Sequence, residues 1–373
     1  MVVYGVIKTV LRFLKASSAT AIMVGVAPTV AIFHTGWRVV SIFLPRRCFH
    51  SGEDFLWGSY QKVIVFFFEH MTGVEILISG DMPKEKENNI LICNHQCTMD
   101  WISTDFLAIR QNMVGNMRYV FKDAIKYIPL YGYVFGMHGG VFVKRDGTYN
   151  QTNMQRVLRS LMKHKVDMYF IVFPEGTRYS SKRKQLLAKS QAYAIENDLA
   201  PLNEVLTPRV KAFHCALSTM KDYVSAVYDA TILYETQSTP IQAGHRPSAP
   251  SMWQFLMSEK PRIRIQFDRI PVEDIPSSTQ TSTLRWLHNR FARKDLLISQ
   301  HYGLQEDVEN HNNVAVFGNE EHSNLPLLKT LPSTLAFTTT TSALLLHPLG
   351  RLVYFGTVLG GSILGMAYAN VFF

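Results

Sequence analysis

The sequence predicts an α/β domain that lies between two apolar, membrane-associated end segments. Through residues 80–302, short apolar runs alternate with helical patterns, which is the rhythm of an α/β fold. Both ends of the chain carry uncharged apolar stretches that are long enough to cross a bilayer. A chain of 373 residues has room for one substantial domain with such appendages, and it shows no internal repeat.

The N-terminal segment predicts a retained membrane anchor. An uncharged apolar stretch covers residues 16–37, and Pro28 within it predicts a kink or a re-entrant segment. A secretory signal peptide is the alternative, but this run exceeds a usual signal core and shows no convincing cleavage site. The cations before the run nearly balance those after it, so charge leaves the orientation open: Lys8, Arg12 and Lys15 against Arg38, Arg46 and Arg47.

Three further segments complete the predicted organisation. Residues 63–68 (VIVFFF) are too short to span and predict an interfacial or partly buried segment. Residues 330–350 and 352–373, separated by Arg351, predict a transmembrane hairpin, and residues 304–324 lack periodicity and predict a linker. The predicted division is an anchor with interfacial helix at 1–79, the α/β domain at 80–303, a polar linker at 304–329 and the hairpin at 330–373.

Apolar runs predict the strands of the α/β domain, and helical spacing predicts its helices. The predicted strands are 89–93, 119–122, 140–144, 168–173, 226–234 and 263–267. The predicted helices are 98–111, 153–164, 186–197 and 283–300.

The charge balance favours anionic lipids or phosphorylated substrates as partners. Lys and Arg number 38 against 29 Asp and Glu, a net charge of +9, yet 47% of the residues are hydrophobic and 18% charged. The chain lacks zinc-finger spacing, a basic helix leading into heptads and an aromatic RNA-binding signature. We therefore predict that nucleic acid is not a partner.

The cysteines favour reduced thiols and disfavour a metal centre. They are irregularly spaced and too few to crosslink a chain of this size, which fits a domain that faces the cytosol: Cys48, Cys93, Cys97 and Cys215. Cys93, His95 and Cys97 alternate as metal ligands can, so a zinc site is an alternative. No second matched pair accompanies them, and we predict that no metal is bound.

The segment NHQCTMD (94–100), directly after a predicted strand, predicts a histidine base. On one continuous helix, His95 and Asp100 would diverge by about 140°. They meet only if His95 lies in the turn and Asp100 in the first helical turn, where the helix dipole favours a carboxylate. Asp100 would then accept from one ring nitrogen of His95 and leave the other free to deprotonate an alcohol. The alternative is a helix-capping His and an ordinary first-turn Asp.

The segment FPEGTR (173–178) follows another predicted strand and predicts a ligand-binding loop, because α/β sheets build their sites at the carboxyl ends of strands. Arg178 is suited to bind phosphate bidentately, Gly176 allows close backbone approach and Thr177 offers a hydroxyl. Glu175 is suited to bind a substrate hydroxyl or to hold Arg178. The alternative is a plain surface turn.

A third segment, GGVFVKR (139–145), again ends a predicted strand with cations, Lys144 and Arg145. Two cationic strand ends in one domain indicate an anion site, and a solvated strand end is the alternative. No Ser in a G-x-S-x-G setting competes as a nucleophile, so direct attack by a substrate hydroxyl is the simpler mechanism.

Together and in this order, the three segments resemble the motifs of the glycerolipid acyltransferase family, which includes the 1-acylglycerol-3-phosphate acyltransferases. The resemblance runs from about Trp37 through the C-terminal spans, and the joint occurrence of the motifs is much more specific than any one. It implies a mixed sheet flanked by helices, with His95 as general base and Asp100 as its orienting partner. It also implies an acceptor-binding set: Gly140, Phe142, Arg145, Glu175, Gly176, Thr177 and Arg178. Pro208, in LTPRVK, matches the family's last and loosest motif.

The resemblance implies a membrane enzyme that uses acyl-CoA as co-substrate, without a cofactor, to acylate lysophosphatidic acid to phosphatidic acid. Its expected partners are these two substrates and membrane lipids, and its expected membrane is the endoplasmic reticulum, with the nuclear envelope and outer mitochondrial membrane as alternatives. Because acyl-CoA is cytosolic, we expect the α/β domain to face the cytosol and the sequon at Asn150 to be unmodified.

Two alternatives to this function stay open. The acceptor could be another lysolipid, such as lysophosphatidylglycerol, lysophosphatidylinositol or a lysocardiolipin. From a different class, the chain could be a membrane scaffold or an acyl-CoA-binding protein without catalysis. The intact His95 and Asp100 argue against the latter, because a binding module needs no base beside its anion site.

Overall fold

The computed structural model of the protein describes residues 2–144, 150–236, 244–304 and 317–372. The helices are α1 (Val2–Gly25), α2 (Ala27–Val40), α3 (Arg46–Val65), α4 (Met99–Arg110), α5 (Tyr131–Met137), α6 (Gln151–Lys163), α7 (Lys184–Glu196), α8 (Val210–Met220), α9 (Met252–Met257), α10 (Gln280–His301), α11 (Leu331–Leu346), α12 (Pro348–Gly356) and α13 (Ser362–Phe372). The strands are β1 (Glu75–Gly80), β2 (Asn89–Cys93), β3 (Met117–Lys122), β4 (Val141–Val143), β5 (Tyr169–Val172), β6 (Ala226–Glu235), β7 (Arg262–Pro271) and β8 (Glu321–His322).

The chain folds into two compact units, each assembled from separated segments. The first, here called the helical unit, comprises Met1–Met71, Asp105–Phe170 and Leu325–Phe373. The second, here called the sheet unit, comprises Thr72–Thr104 and Ile171–Asn324. The sequence-based domain boundaries at residues 80 and 303 are therefore not the lines along which the structure divides, because residues of the predicted α/β domain contribute to both units.

A mixed sheet in the order β2-β6-β7-β1-β8 forms the centre of the sheet unit. The pairs β2–β6 and β1–β7 are parallel, whereas β6–β7 and β1–β8 are antiparallel. All five residues of β2, NILIC, are buried, as expected of a strand whose two faces are both covered. The last pairing of β2 joins Cys93 to Ala230, so the chain leaves the sheet at Asn94.

Helix α10 packs against α8 and β6 and so supports the sheet from one side. A capping box at Thr279 and Ser282 starts the helix. Farther along, the ammonium group of Lys294, on a side chain that is 1% exposed, donates to the carbonyl of Ala230 at 2.6 Å and pairs with Asp229. A buried cation with these partners fixes α10 in register with β6.

Among the described residues, two stretches are long and apolar enough to cross a membrane. The N-terminal helices of the helical unit form the first of them, Tyr4–Phe43. Pro28 lies in the first turn of α2, and the apolar helix is interrupted at Val26, as the sequence predicts. Large apolar side chains of α1 are exposed, including Leu11 at 61% and Phe13 at 53%, which is typical of a helix that faces lipid.

The second such stretch is Pro348–Phe372. Within the predicted hairpin, the helices separate at His347, where α11 ends and Pro348 begins α12, four residues before Arg351. Proline lacks the N–H that would continue the ladder of α11. Helix α11 has 16 residues, fewer than the about 20 that a straight crossing requires, so the first helix of the predicted hairpin is shorter than a full span.

The apolar run 63–68 forms the end of α3 and the π turn that follows it. Val63, Val65 and Phe68 are fully buried within the helical unit. The sequence predicts an interfacial or a partly buried segment, and most of the run is buried. Its contact with a membrane stays a prediction.

The strands and helices predicted for the α/β domain are all present, with small shifts at their ends. The apolar and helical patterns of the sequence did not predict β1, β8, α5, α8 and α9. β1 precedes the predicted start of the domain, and β8 is a two-residue strand inside the predicted linker, where it pairs with β1. Short elements of this kind depend on tertiary pairing, which periodicity does not report.

Candidate active site

The turn that follows β2 is tied to the neighbouring strand β6 by side chains that imitate backbone pairing. The side-chain amide of Asn94 donates to the carbonyl of Ile232 at 3.0 Å and accepts from its N–H at 2.8 Å. Gln96 also donates to the carbonyl of Ile232, at 2.7 Å. His95, between these two residues, is therefore held on a turn whose ends are both fixed.

Asp100 lies in the first turn of α4 and organises this turn. Its Oδ2 accepts from Nδ1 of His95 at 2.7 Å and from the backbone N–H groups of Gln96 at 2.6 Å and Cys97 at 2.9 Å. Its Oδ1 accepts from the hydroxyl of Tyr234 at 2.8 Å. The carboxylate is fully buried and has a partner for each oxygen, so its position is fixed on all sides.

The structure places the His95–Asp100 pair as the five-residue spacing predicts, with one residue in the turn and the other in the first helical turn. A carboxylate only accepts hydrogen bonds, so Nδ1 of His95 carries the proton and Nε2 keeps its lone pair. The His95 side chain is 17% exposed and its ring packs against Phe173 with the centroids 4.5 Å apart. The arrangement is that of a general base open to a substrate on one side.

The two cysteines beside this pair are buried thiols. Burial raises the pKa of Cys93 and of Cys97, and the nearby Asp100 carboxylate raises both pKa values further. A raised pKa disfavours the thiolate that nucleophilic attack requires. Among the described residues, no three His, Cys, Asp or Glu side chains come together as a metal-binding group.

The side chain of Glu175 accepts hydrogen bonds from two backbone N–H groups, one of which belongs to the turn. Its Oε1 accepts from the N–H of His95 at 2.5 Å, and its Oε2 accepts from the N–H of Leu206 at 2.8 Å. Burial raises the pKa of Glu175 to about 8, although both N–H groups and Arg246 oppose this increase. Both oxygens are occupied inside the protein, so Glu175 holds the turn in this structure. The substrate contact implied by the family resemblance stays a prediction.

The rest of the FPEGTR loop is open. Gly176 has a φ of +68°, a left-handed conformation that side chains rarely adopt, and the space beside it is free apart from one distant atom of Arg209. Thr177 is partly exposed. Arg178 is exposed and makes no ion pair or hydrogen bond with the described part of the chain. It therefore does not pair with Glu175, which was one of the two roles predicted for that carboxylate.

Gly140 and Phe142 belong to the helical unit, where the structure gives both of them packing roles. A Cβ on Gly140 would lie 2.7 Å from the ring of Phe121 and from the carbonyl of Phe135, so no side chain fits there. Phe142 is buried in β4 and stacks on Phe121. Arg145 lies outside the described residues. The acceptor-binding role of these three residues stays a prediction.

Pro208 lies in a segment that contacts the FPEGTR loop, because the N–H of the following residue, Arg209, donates to the carbonyl of Pro174 at 2.7 Å. Three further residues lie in or contact the turn and were not predicted as members of the site: Tyr234, Gln96 and Arg246. Tyr234 is the near-terminal residue of an apolar strand, and Arg246 stands in no motif. Only Gln96, inside the NHQCTMD segment, carried a signal.

Comparisons with known proteins identify the family of this chain. Residues 75–235 match the family model described as Acyltransferase, and residues 254–335 match the one described as Acyltransferase C-terminus. The chain is 42% identical over 355 residues to the mouse (Mus musculus) 1-acyl-sn-glycerol-3-phosphate acyltransferase epsilon, with 95% of each chain covered. It is 30% identical over 266 residues to the probable 1-acyl-sn-glycerol-3-phosphate acyltransferase 5 of Arabidopsis thaliana, covering 71% of this chain and 66% of that protein.

A solved structure also matches, that of the 1-acyl-sn-glycerophosphate (LPA) acyltransferase PlsC from Thermotoga maritima. The TM-score is 0.40 and the identity 18%, over 79% of this chain and 100% of the other. Family membership follows from the sequence matches, because the mouse relative is similar over nearly the whole of both chains. This chain belongs to the acyltransferase family that includes the 1-acyl-sn-glycerol-3-phosphate acyltransferases.

Proposed function

We propose that this enzyme transfers a fatty acyl group from acyl-CoA to the sn-2 hydroxyl of 1-acylglycerol 3-phosphate, giving phosphatidic acid and free CoA. The observation that carries the proposal is the 2.7 Å bond between Asp100 and Nδ1 of His95, which leaves Nε2 as a base. The names of the mouse and Arabidopsis relatives support the choice of acceptor.

In the proposed mechanism, the acceptor hydroxyl lies against Nε2 of His95. Nε2 takes the hydroxyl proton as the oxygen attacks the thioester carbonyl carbon. The bond between carbon and sulfur then breaks, and the imidazolium returns the proton to the departing thiolate of CoA. Asp100 keeps the proton on Nδ1 throughout and stabilises the imidazolium that forms between the two steps.

Exposed cations of the loop after β5 are suited to bind the anionic groups of both substrates. Arg178 is followed by three more exposed cations, and none of the four has an ion pair in the part of the chain that the structure describes: Arg178, Lys182, Arg183 and Lys184. A cation without an internal carboxylate is available to a phosphate. We assign Arg178 to the acceptor phosphate and the other three to the phosphates of acyl-CoA. Gly140, Phe142, Arg145, Gly176 and Thr177 complete the proposed acceptor site by family resemblance.

We place the enzyme in the endoplasmic reticulum membrane with the α/β domain, residues 80–303, facing the cytosol. The two apolar stretches at residues 4–43 and 348–372 support a membrane location. The sequon at Asn150 tests the orientation, since this side chain is exposed and caps α6. A glycosidase-sensitive mass shift that disappears in Asn150→Gln would contradict the cytosolic placement.

Acyl transfer in membranes that express the protein tests the proposal. Labelled oleoyl-CoA is supplied with lysophosphatidic acid or with one of the other lysolipids, and the products are separated. We expect chiefly phosphatidic acid from the wild type and a loss of about 10²- to 10⁴-fold in His95→Ala. The control is His322→Ala, which removes an exposed histidine of β8.

The outcomes separate the alternatives. A different preferred lysolipid would keep the mechanism and change the acceptor. Wild-type turnover in His95→Ala would remove the histidine mechanism. If no lysolipid gives a His95-dependent product, the protein acts as a scaffold or as an acyl-CoA-binding protein, without catalysis.

A further inference from the structure

Arg246 stands outside the family motifs, yet its guanidinium group reaches the turn that carries His95. The side chain is 5% exposed. Nη2 donates to Oε1 of Gln96 at 2.9 Å, and Nη1 donates to Oε2 of Glu204 at 2.9 Å. The guanidinium carbon also lies 4.3 Å from the centre of the Tyr179 ring. One buried cation thus joins three separate segments of the sheet unit.

Two of the residues that Arg246 contacts, Gln96 and Tyr179, are directly connected to His95. Gln96 directly follows His95, and its backbone N–H donates to Asp100. The backbone N–H of Tyr179 donates to the carbonyl of His95 at 2.7 Å. Arg246 therefore contacts both the residue after His95 and the residue that holds the carbonyl of His95.

Arg246 also pairs with Glu204, which lies in a segment that is itself held by hydrogen bonds. One carboxylate oxygen of Asp295, on α10, accepts from three consecutive backbone N–H groups: those of Asn203, Glu204 and Val205, at 2.9, 2.5 and 3.1 Å. Glu204 also offers its own backbone carbonyl to Arg246. A chain of contacts consequently runs from α10 through this segment and Arg246 to the catalytic turn.

A role in binding substrate phosphate does not fit this environment. Glu204 neutralises the guanidinium, and Gln96 and the Tyr179 ring occupy its other sides, so a phosphate would have to displace internal partners. Arg178 provides the contrast, because it is exposed and has no ion pair among the described residues. The two arginines therefore have the environments of two different roles.

We propose that Arg246 is a positioning residue, which holds Gln96 and so keeps His95 in the orientation needed for proton transfer. The reaction used to test it is that of the proposed function, but the positioning role also has a test that needs no turnover. Loss of the Arg246 side chain would remove its hydrogen bond to Gln96 and its contact with the Tyr179 ring, and so leave the turn less fixed.

The kinetic test compares Arg246→Gln with Arg269→Gln. Arg269 makes a bidentate pair with Glu87, just before the start of β2, so its loss removes an ion pair at the opposite end of the strand from His95. For Arg246→Gln we expect kcat to fall about 10- to 100-fold, because a misplaced base costs rate more than binding. KM for acyl-CoA and for the lysolipid should change by less than about twofold. Arg269→Gln should keep the wild-type kcat.

A second variant tests the same contact from the other side. Gln96→Ala removes the acceptor but leaves the pair between Arg246 and Glu204 in place, so it remains informative if Arg246→Gln does not fold. It should lower kcat in the same direction. In the double variant, the effect of Arg246→Gln should be smaller than in the wild type, since the two residues act through one contact.

Hydrogen exchange measures the positioning directly, whichever lysolipid the enzyme accepts. The N–H groups of Gln96 and Cys97 are bonded to Asp100, so a peptide covering residues 94–100 should exchange faster in Arg246→Gln than in the wild type. The amides of β2 should keep their wild-type rates. The proposal is overturned by unchanged kcat and exchange in both variants, or by a raised KM for one substrate with unchanged kcat. Failure of the proposed function would appear differently, as a wild type that does not acylate lysophosphatidic acid.

Discussion

The turn after β2 and the loop after β5 both supply proposed active-site residues, yet they are built in opposite ways. In the turn, the carboxylate of Asp100 is fully buried and its oxygens bind His95, two backbone N–H groups and Tyr234. In the loop, Arg178 and the cations that follow it are exposed and lack ion pairs across the described ranges. The carboxylate of the turn is saturated with internal partners, whereas the exposed cations of the loop have no ion pair among the described residues.

The difference corresponds to what each segment has to do. A proton-transfer group must return to the same geometry in every cycle, so internal bonds that fix it increase the rate. A phosphate-binding group must exchange its partner in every cycle, so an internal carboxylate would compete with the substrate. In the proposed site, one short motif serves both purposes through Glu175 and Arg178. Glu175 supports the turn from below, and Arg178 faces solvent three residues later.

A substitution that disrupts the turn after β2 should have the largest effect on kcat. In Asp100→Asn, an amide nitrogen replaces one carboxylate oxygen, so at least one of the donors that Asp100 now satisfies loses its acceptor. The proton of His95 is then no longer confined to Nδ1. We expect kcat to fall about 10²- to 10⁴-fold with little change in either KM, measured as phosphatidic acid formation at saturating substrates.

The control for this variant is Asp81→Asn, which changes an exposed carboxylate just after β1 and should leave kcat unchanged. A loss of less than about tenfold in Asp100→Asn would mean that His95 does not depend on the carboxylate for its tautomer. The structural contrast between turn and loop would then have no catalytic meaning.

Removing cations from the loop should affect binding rather than the chemical step. Arg178→Ala should raise the KM for lysophosphatidic acid about tenfold, because one charge-assisted contact with phosphate is lost.

The triple variant Lys182→Ala, Arg183→Ala, Lys184→Ala should raise the KM for acyl-CoA but not for an S-acyl-pantetheine, which lacks the nucleotide phosphates. In both cases kcat should change little. Steady-state kinetics with acyl-CoA and with the pantetheine thioester give the KM values to be compared. The control is Lys221→Ala, at another exposed lysine.

Two results would count against this assignment. An equal rise in KM for acyl-CoA and the pantetheine thioester would place the three cations away from the nucleotide. A fall in kcat without a change in KM for Arg178→Ala would make that residue part of the turn's support, and the contrast between the two segments would be lost.

Local relationships in the site were predictable from sequence, and long-range ones were not. The placement of His95 and Asp100 follows from a five-residue spacing at a strand–helix junction. The bonds of Glu175 join it to backbone N–H groups 80 and 31 residues away, and backbone partners leave no mark in a sequence. Arg246 lies 150 residues from Gln96, in a segment without a motif. Such residues become visible only when the sheet brings them together.

The same distinction between local and long-range relationships applies to the fold. Buried runs such as β2 were predictable because both faces of the strand are covered, which requires a continuous apolar sequence. Gly140 was predicted as a substrate contact, whereas its structural need for glycine comes from the ring of Phe121 and the carbonyl of Phe135. A motif identifies a constrained position, but packing and binding constrain a glycine in the same way.

The smallest predicted effect concerns the pH dependence of stability, and it tests whether Glu175 belongs to the turn. Burial raises its pKa to about 8 in the folded protein, from 4.5 for an unperturbed carboxyl. The unfolded chain therefore releases this proton at a lower pH than the folded one. The contribution of Glu175 to the free energy of unfolding is complete below about pH 4.5 and declines as the pH rises toward 8.

Thermal unfolding of the solubilised protein measures this decline. Glu175→Gln does not ionise, so the difference in Tm between wild type and variant should shrink as the pH rises from 5 to about 8. The exposed Glu273 gives the control, because Glu273→Gln should reproduce the wild-type slope. If wild type and Glu175→Gln show the same slope, the carboxylate is already ionised at low pH. The hydrogen bonds from the N–H groups of His95 and Leu206 would then outweigh the effect of burial, and Glu175 would hold the turn as a charged carboxylate.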